Sequence, residues 1–176
     1  EETHNMGLAE YRDPILKALI EMFEADGPAD LVGHYVYGDV LAQPKSDLPV
    51  VSVARDGTTI LSDGTMQDRH VQPIVVAVIY DWTRDLNESF DLTRGTNKLY
   101  EYIEARDATF TLKVNTLAYA LRKNQKLGDN LFISINDNGL QIDYGLGVEK
   151  RGTNIFSVEG ILRFNVESTQ QKPNLY

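Results

Sequence analysis

The chain has 176 residues, of which 42% are hydrophobic and 24% charged, and its formal net charge at pH 7 is -9. A chain of this length fits one domain that buries about two-thirds of its unfolded surface, and its composition excludes a disordered protein. The negative charge disfavours general binding to nucleic acid or to an anionic membrane, because both need a clustered basic face. The absence of cysteine excludes disulfides, thiolate nucleophiles and cysteine-ligated zinc.

The hydropathy of the chain predicts no membrane protein. The longest apolar run, Ile74 to Tyr80, is too short to cross a bilayer. The residues from Glu1 to Asn5 are polar and acidic, unlike a signal peptide. We therefore expect a product that is made in the cytoplasm and has no membrane partner.

The first predicted element is an amphipathic helix. Asp13 is a suitable N-cap, Pro14 fits the first helical position, and apolar residues follow at helical spacing from Ile15 to Phe23. Gly27 and Pro28 end the helix. A helix with one apolar face must pack on another element, and the next segments predict a sheet.

Three strands are predicted next, at residues 33–41, 48–54 and 71–81. Apolar side chains at both alternating positions of 71–81 predict a central strand that is covered on both faces. Residues 55–70, between the second and third strands, contain two Asp-Gly pairs that are typical of turns. We interpret this segment as a long hairpin tip or a long, mobile loop, and segments of this kind inside a compact domain are usually functional or disordered.

The second half of the chain predicts helices and then more strands. Helical segments are expected near residues 96–103 and 114–128. The turn Asp137-Asn138-Gly139, flanked by apolar runs, predicts a β-hairpin that spans residues 131–145. A last strand at 154–167 alternates apolar residues on one face.

Together these elements predict an α+β fold in a single domain over residues 1–176. The sheet is expected to be mostly antiparallel and twisted, with the N-terminal amphipathic helix and one or two middle helices packed on it. Residues 1–9 and 168–176 are polar and are expected to be loose tails.

No short-range motif for catalysis or metal binding is present. The three histidines stand far apart in sequence, and no Gly-x-Ser-x-Gly elbow or phosphate-binding loop occurs. Because an enzyme needs positioned acid, base, nucleophile or metal groups, we expect no catalytic residue, no metal and no cofactor. An enzyme or small-ligand protein remains an alternative, since Asp81, Trp82 and Asp85 follow the central strand, where side chains can line a site.

Several local patterns resemble the tail-terminator and neck proteins of tailed bacteriophages. In these families a leading amphipathic helix, here 15–23, precedes a strand with a Leu-Pro-apolar stretch, here 48–53. A long loop, a strongly apolar strand and a later helix follow. The closing strand of the type Gly-apolar-Leu-x-Phe-x-Val is matched by residues 160–166. The resemblance covers about residues 10–167, and residues 82–111 look like additional material.

The resemblance implies a structural virion protein that forms a homo-oligomeric, hexameric ring at the phage neck. Such a ring ends polymerisation of the tail tube and joins the tail to the head. The implied partners are further copies of the chain, the tail tube protein and the head connector or neck proteins, with DNA only passing through the lumen. The implied location is the virion, after assembly in the host cytoplasm. The additional material leaves a stopper or tail-completion subunit open.

The resemblance also suggests that the segment 55–70 lines the lumen or the ring interface. An acidic lumen would repel passing DNA rather than bind it. A further alternative is a host adaptor that binds a partner through the tyrosine-bearing strands, which predicts one exposed apolar patch instead of two complementary ones. The candidate interface residues are Arg55, Asp56, Asp63, Asp68, Arg69 and His70.

Overall fold

A computed structural model describes residues 13–38, 48–62, 64, 66–83, 94–135, 139–145, 149–150 and 156–172. The helices within these ranges are α1 (Pro14–Asp26), α2 (Arg94–Ile103) and α3 (Leu117–Lys123), with a 3-10 turn at Ala29–Leu31. The strands are β1 (Tyr35–Tyr37), β2 (Val50–Arg55), β3 (Thr59–Ser62), β4 (Gln67–Asp81), β5 (Lys126–Gly128), β6 (Leu131–Ser134), β7 (Gln141–Tyr144), β8 (Glu149–Lys150) and β9 (Phe156–Gln171).

Local sequence explains why α1 forms. The Asp13 carboxylate accepts a hydrogen bond of 3.0 Å from the backbone N–H of Ile15, and Pro14 occupies the first turn. Gly27 ends the helix and donates its N–H to the carbonyl of Phe23 at 2.8 Å. A side-chain cap of this kind is worth about 1 kcal/mol. The predicted helix, with its start and its stop, is confirmed.

The second predicted helical region is shorter than the sequence indicates. α3 begins only at Leu117, because Asn115 has a φ of 63° and Thr116 acts as N-cap by accepting from the N–H of Tyr119 at 3.2 Å. Residues 126–128, predicted to lie near the end of this helix, form β5 instead. An N-cap residue needs non-helical backbone, so the polar pair before Leu117 stops the helix from extending back to residue 114.

The strands form one mostly antiparallel sheet. Its order is β1-β2-β4-β9-β6-β5, with β3 also paired to β4 and with β7 and β8 also paired to β9. Among the described pairs, only β1 and β2 run parallel. The ribbon of β4 and β9, paired from Gln67↔Gln171 to Asp81↔Ser157, lies at the centre. The predicted α+β class and the central position of residues 71–81 are therefore confirmed.

The strands on both sides of this ribbon are interrupted. β2 and β3 both run antiparallel to β4, with residues 56–58 between them, and β6, β7 and β8 all run antiparallel to β9. β6 and β7 are thus successive parts of one broken strand, and the predicted hairpin of residues 131–145 is wrong. Gly139, with a φ of 68°, lies where the chain leaves β9 and rejoins it without reversing direction. Turn residues can therefore stand within an interrupted strand as well as in a hairpin.

Two predicted irregular segments are also strands. Residues 55–70 are not a long loop: β3 pairs with β4 from Thr59↔Val71 to Ser62↔Asp68, so the hairpin interpretation is correct. Residues 168–171 are not a loose tail, because β9 continues to Gln171 and pairs with β4. Each segment finds a partner strand, which its polar composition does not reveal. Residues 1–9 and 173–176 lie outside the described residues.

All three helices contribute to a core on one face of the sheet, which we call the covered face. The register places Val53, Val76 and Leu162 side by side on this face, and each is fully buried. Phe23 of α1 and Ile103 of α2 are also fully buried in this core. Burial of each large apolar side chain contributes roughly 1.5–3 kcal/mol. We call the opposite side of the sheet the outer face.

The described residues at one end of the sheet include no fully buried apolar side chain. The four residues of β3 are all exposed. The residues of β4 are exposed or half-buried near Gln67 and become fully buried towards Ile79. This end comprises β3, residues 64 and 66–71, and residues 167–172, which we call the arm. The same two long strands therefore run from the covered core into a three-stranded extension.

Candidate interaction surfaces

The first two candidate interface residues lie at the base of the arm. The Arg55 guanidinium, at the end of β2, forms an ion pair of 2.6 Å with the Asp13 carboxylate. It therefore ties the start of α1 to the sheet. Asp56 begins the interruption between β2 and β3 and donates its N–H to the carbonyl of Pro73 at 2.8 Å. Its side chain is exposed.

The other candidates are spread over both sides of the arm. Arg69 points to the outer face and lies 3.9 Å from the Glu167 carboxylate. Asp68 and His70 alternate to the other side, and Asp68 lies 3.7 Å from Lys172 Nζ. Asp63 lies outside the described residues. These residues do not form one acidic cluster, because neighbouring side chains of a strand point to opposite faces.

At the end of β4, the described residues of the alternative site are held by the fold. The Asp81 carboxylate accepts a hydrogen bond of 2.9 Å from the backbone N–H of Thr83, and Trp82 is buried. Asp85 lies outside the described residues. Neither of the two surface grooves described here includes Asp81 or Trp82.

The tyrosines of β1, which the adaptor alternative uses, belong to the packing of α1. Tyr35 stacks on Phe23 with ring centroids 5.8 Å apart, and its hydroxyl donates to the Phe23 carbonyl at 3.4 Å. Burial raises the pKa of Tyr35, with a smaller contribution from the nearby Glu24 carboxylate. This side chain is therefore part of the fold rather than an exposed contact.

Across the described ranges, no group of three or more His, Asp or Glu side chains is arranged to hold a metal ion. In the same ranges, no helix is both long and apolar enough to cross a membrane. What these residues do offer is exposed apolar side chains, and two segments carry more than one of them.

The arm carries the first group of exposed apolar side chains, which lie on both of its faces: Ile60 is paired with His70 on one face and Leu61 with Arg69 on the other. Ile60, Leu61 and Met66 are 60%, 40% and 72% exposed. Lys172 holds the end of the arm together, because its Nζ donates to Ser62 Oγ at 2.7 Å and to the Gly64 carbonyl at 2.8 Å. The exposed side chains are thus carried by a hydrogen-bonded structure.

The second apolar surface is the connection between α2 and α3, residues 104–115, which we call the Phe110 loop. Phe110 is 80% exposed and Val114 is 61% exposed. Phe110 also has a φ of 62°, a left-handed conformation that bulky residues rarely adopt and that costs on the order of 1–3 kcal/mol. Such strain persists only where the surroundings hold the backbone in place.

Asp107 is the residue that holds the Phe110 loop. Its Oδ1 accepts from Thr109 Oγ1 at 2.6 Å, from the Thr109 N–H at 2.8 Å and from the Thr111 N–H at 3.1 Å. These bonds lower the pKa of Asp107, and the bond from the Thr109 hydroxyl has the largest effect. The Arg106 guanidinium donates to the Phe110 carbonyl at 3.0 Å, and residue 106 forms a β-bridge with Leu112. The loop is thus a small, internally hydrogen-bonded unit with an aromatic ring at its tip.

A groove of about 400 Å³ crosses the outer face where the two interrupted strands lie opposite each other. One end is Asp56, next to the break between β2 and β3, and the other end is Gly139, at the break between β6 and β7. The paired residues Pro73 and Asn165 lie between these ends. The full lining is Asp56, Pro73, Ile74, Val75, Gly139, Gln141, Arg163, Phe164 and Asn165.

Sequence reasoning missed both the Phe110 loop and this groove. Phe110 falls within the segment 82–111 that looks like additional material. The spacing of Asp107 with Thr109 could have indicated a local carboxylate turn, since short polar side chains favour such turns. The groove has no local signal, because it arises from two interruptions that are about 80 residues apart in sequence and meet only through strand register.

No protein-family model matches the chain, and no curated protein has a significant sequence match to it.

Proposed function

We propose that this protein is a structural subunit of a homo-oligomeric ring at the neck of a tailed bacteriophage. The ring ends polymerisation of the tail tube and joins the tail to the head. Six copies, the tail tube protein and the head connector or neck proteins are the partners, and DNA passes through the lumen. The protein then acts by shape and contact rather than by catalysis, in the virion.

One observation carries the proposal: the chain has two different exposed apolar surfaces in different places. The Phe110 loop joins two helices of the covered face. The groove lies on the outer face, where the register also places Leu61 of the arm together with Pro73 and Val75. A head-to-tail contact needs two unlike patches on each subunit, and repetition of such a contact gives a ring when the rotation closes.

The adaptor alternative is less well supported by the same surfaces. An adaptor needs one apolar patch for one partner. Here the arm and the Phe110 loop both carry large exposed apolar side chains, with Ile60 60% and Phe110 80% exposed. Two unlike patches favour self-assembly.

The charge of the chain is compatible with a conduit for DNA. A formal net charge of -9 keeps an assembled ring from binding the passing duplex through its phosphates. The arm itself carries both signs, with Arg69 beside Glu167 and Lys172 beside Asp68. The proposal therefore requires that carboxylates face the lumen. The ion-paired charges of the arm would instead lie at contacts between subunits.

Electron microscopy of the purified protein tests the proposal directly. Negative-stain images over a range of concentrations, with and without divalent cations, are expected to show closed rings with a central hole wide enough for duplex DNA. Native mass spectrometry of the same samples gives the number of subunits. A monomer or a closed dimer under every condition contradicts the ring.

Substitutions in the arm link the rings to the surfaces described here. Leu61→Ser with Met66→Ser is expected to reduce the ring fraction while the monomer keeps its circular dichroism spectrum. Val32→Ser is the matched control, since Val32 is 52% exposed and lies outside the arm and the Phe110 loop. Equal ring fractions in both variants would remove the arm from the interface.

A further inference from the structure

We infer that the Phe110 loop of one copy docks into the outer-face groove of the next copy. This inference rests on the proposed ring and specifies its subunit contact. The Phe110 loop and the outer-face groove belong to the same chain, and they lie on opposite sides of the sheet. Each copy can therefore insert its Phe110 loop into one neighbour and accept the loop of the other neighbour in its groove. A head-to-tail ring needs this arrangement.

The shape of the loop is that of a preformed anchor. Phe110 stands 80% exposed on a backbone that three hydrogen bonds to the Asp107 carboxylate hold in a left-handed conformation. A loop backbone that is already held in one conformation loses little further conformational entropy on docking. Interface residues with the largest effects are often aromatic anchors of this kind that fill a pocket in the partner.

The groove offers a suitable receptor. Its volume is about 400 Å³, and the half-buried Pro73 and Val75 supply apolar side chains at its floor. Gln141 and Asn165 supply polar groups at its edges. An aromatic side chain buries roughly 150–250 Å², and Pro73 and Val75 offer it apolar contact in a lining that is otherwise largely polar.

Charge complementarity also favours a second copy as the occupant. Lys113 is an exposed cation of the Phe110 loop, and Asp56 is an exposed anion at one end of the groove. Docking places opposite charges at the rim of an apolar contact, where they set orientation more than affinity. The Arg163 guanidinium in the groove is already paired with Asp143, so it does not oppose Lys113.

The first test removes the anchor. Phe110→Ala is expected to weaken subunit association at least about tenfold, measured as the concentration at which half the rings dissociate in mass photometry. Val32→Ala is the matched control, because Val32 is also an exposed apolar residue outside both surfaces. The thermal unfolding midpoint of dissociated Phe110→Ala, compared with that of the wild-type monomer, separates loss of docking from loss of folding.

The second test does not depend on removing Phe110. The chain has no cysteine, so Ala108→Cys combined with Gln141→Cys places one thiol on the loop and one in the groove. Mild oxidation is expected to give a ladder of covalent oligomers that ends at the ring size. Each single-cysteine variant is the control and should stop at a dimer.

The outcomes separate this inference from the proposed function. Wild-type rings that persist in Phe110→Ala, together with no ladder from the double-cysteine protein, overturn the docking contact and leave the ring proposal standing. Absence of rings from the wild-type protein overturns both. Loss of rings in Phe110→Ala together with a ladder in the double-cysteine protein supports the docking contact.

Discussion

The covered half of the sheet and the arm are built from the same two strands, yet their side chains differ in kind. In the covered half, Val76 and Leu162 face each other across β4 and β9 and are fully buried. In the arm the same face of the same strands carries His70 opposite Ser168, both half-buried. Exposed Ile60 lies beside them on β3.

This difference shows that a long strand can change its role along its length. Backbone hydrogen bonds continue through both halves, from Asp81↔Ser157 to Gln67↔Gln171. The helices stop covering the sheet where the apolar alternation stops. The covered half therefore holds the buried core, whereas the arm leaves Ile60, Leu61 and Met66 exposed.

The largest effect on the free energy of unfolding is expected from a substitution in the covered half. Leu162→Ala removes a fully buried side chain and should lower the free energy of unfolding by about 2–5 kcal/mol. Ile60→Ala in the arm should change it by no more than about 0.5 kcal/mol, because Ile60 is 60% exposed. Urea unfolding monitored by circular dichroism measures both. Equal losses in the two variants would contradict the division between core and arm.

A smaller effect is expected where α2 touches β9. A Cβ on Gly160 would collide with the side chain of fully buried Ile103, so Gly160→Ala should destabilise the protein by about 1–3 kcal/mol. Combining it with Ile103→Val makes room, and the double variant should lose less stability than the sum of the single losses. Strict additivity of the two losses would mean that the close approach is not the cause.

The smallest effect concerns the Phe110 loop, which is held by polar contacts instead of burial. The pKa of Asp107 lies below its ordinary value of 3.8 because the carboxylate accepts hydrogen bonds from Thr109 and Thr111. A lowered pKa in the folded state means that this contribution is fully present above the unfolded value. It is lost as pH falls below 3.8 and through the folded pKa.

Nuclear magnetic resonance can follow this local change. The amide protons of Thr109 and Thr111 should shift together with a midpoint below 3.8, while amides of buried β4 stay unchanged until global unfolding. Asp107→Asn should abolish the transition. A midpoint at or above 3.8 would contradict the role of the carboxylate in holding the loop.

Several parts of the fold could be predicted because their causes are local. The start of α1 depends on Asp13 and Pro14, and its end depends on Gly27. The alternation from Val158 to Val166 gave the covered face of β9, which the register confirms. A β-branched, apolar run gave the central strand. Each of these patterns acts within about ten residues of the chain.

Other parts could not be predicted because the same residues allow two structures. The sequence of residues 131–145 fits a hairpin as well as one interrupted strand, and the outcome depends on whether β7 pairs with β6 or with β9. The polar segment 168–171 forms a strand because the first residues of β4 offer it a partner. The candidate interface residues Asp68 and Arg69 are neighbours in sequence, yet strand alternation places them on opposite faces.

The sequence by itself determined the fold class, the first helix, the central strand and the absence of any short catalytic motif. These follow from composition, capping and periodicity, which are properties of neighbouring residues. Only the tertiary structure decided which segments became the arm and where the groove lies. It also left Phe110 exposed. Exposure and register depend on long-range pairing, since a side chain is buried or free according to what packs on it from elsewhere in the chain.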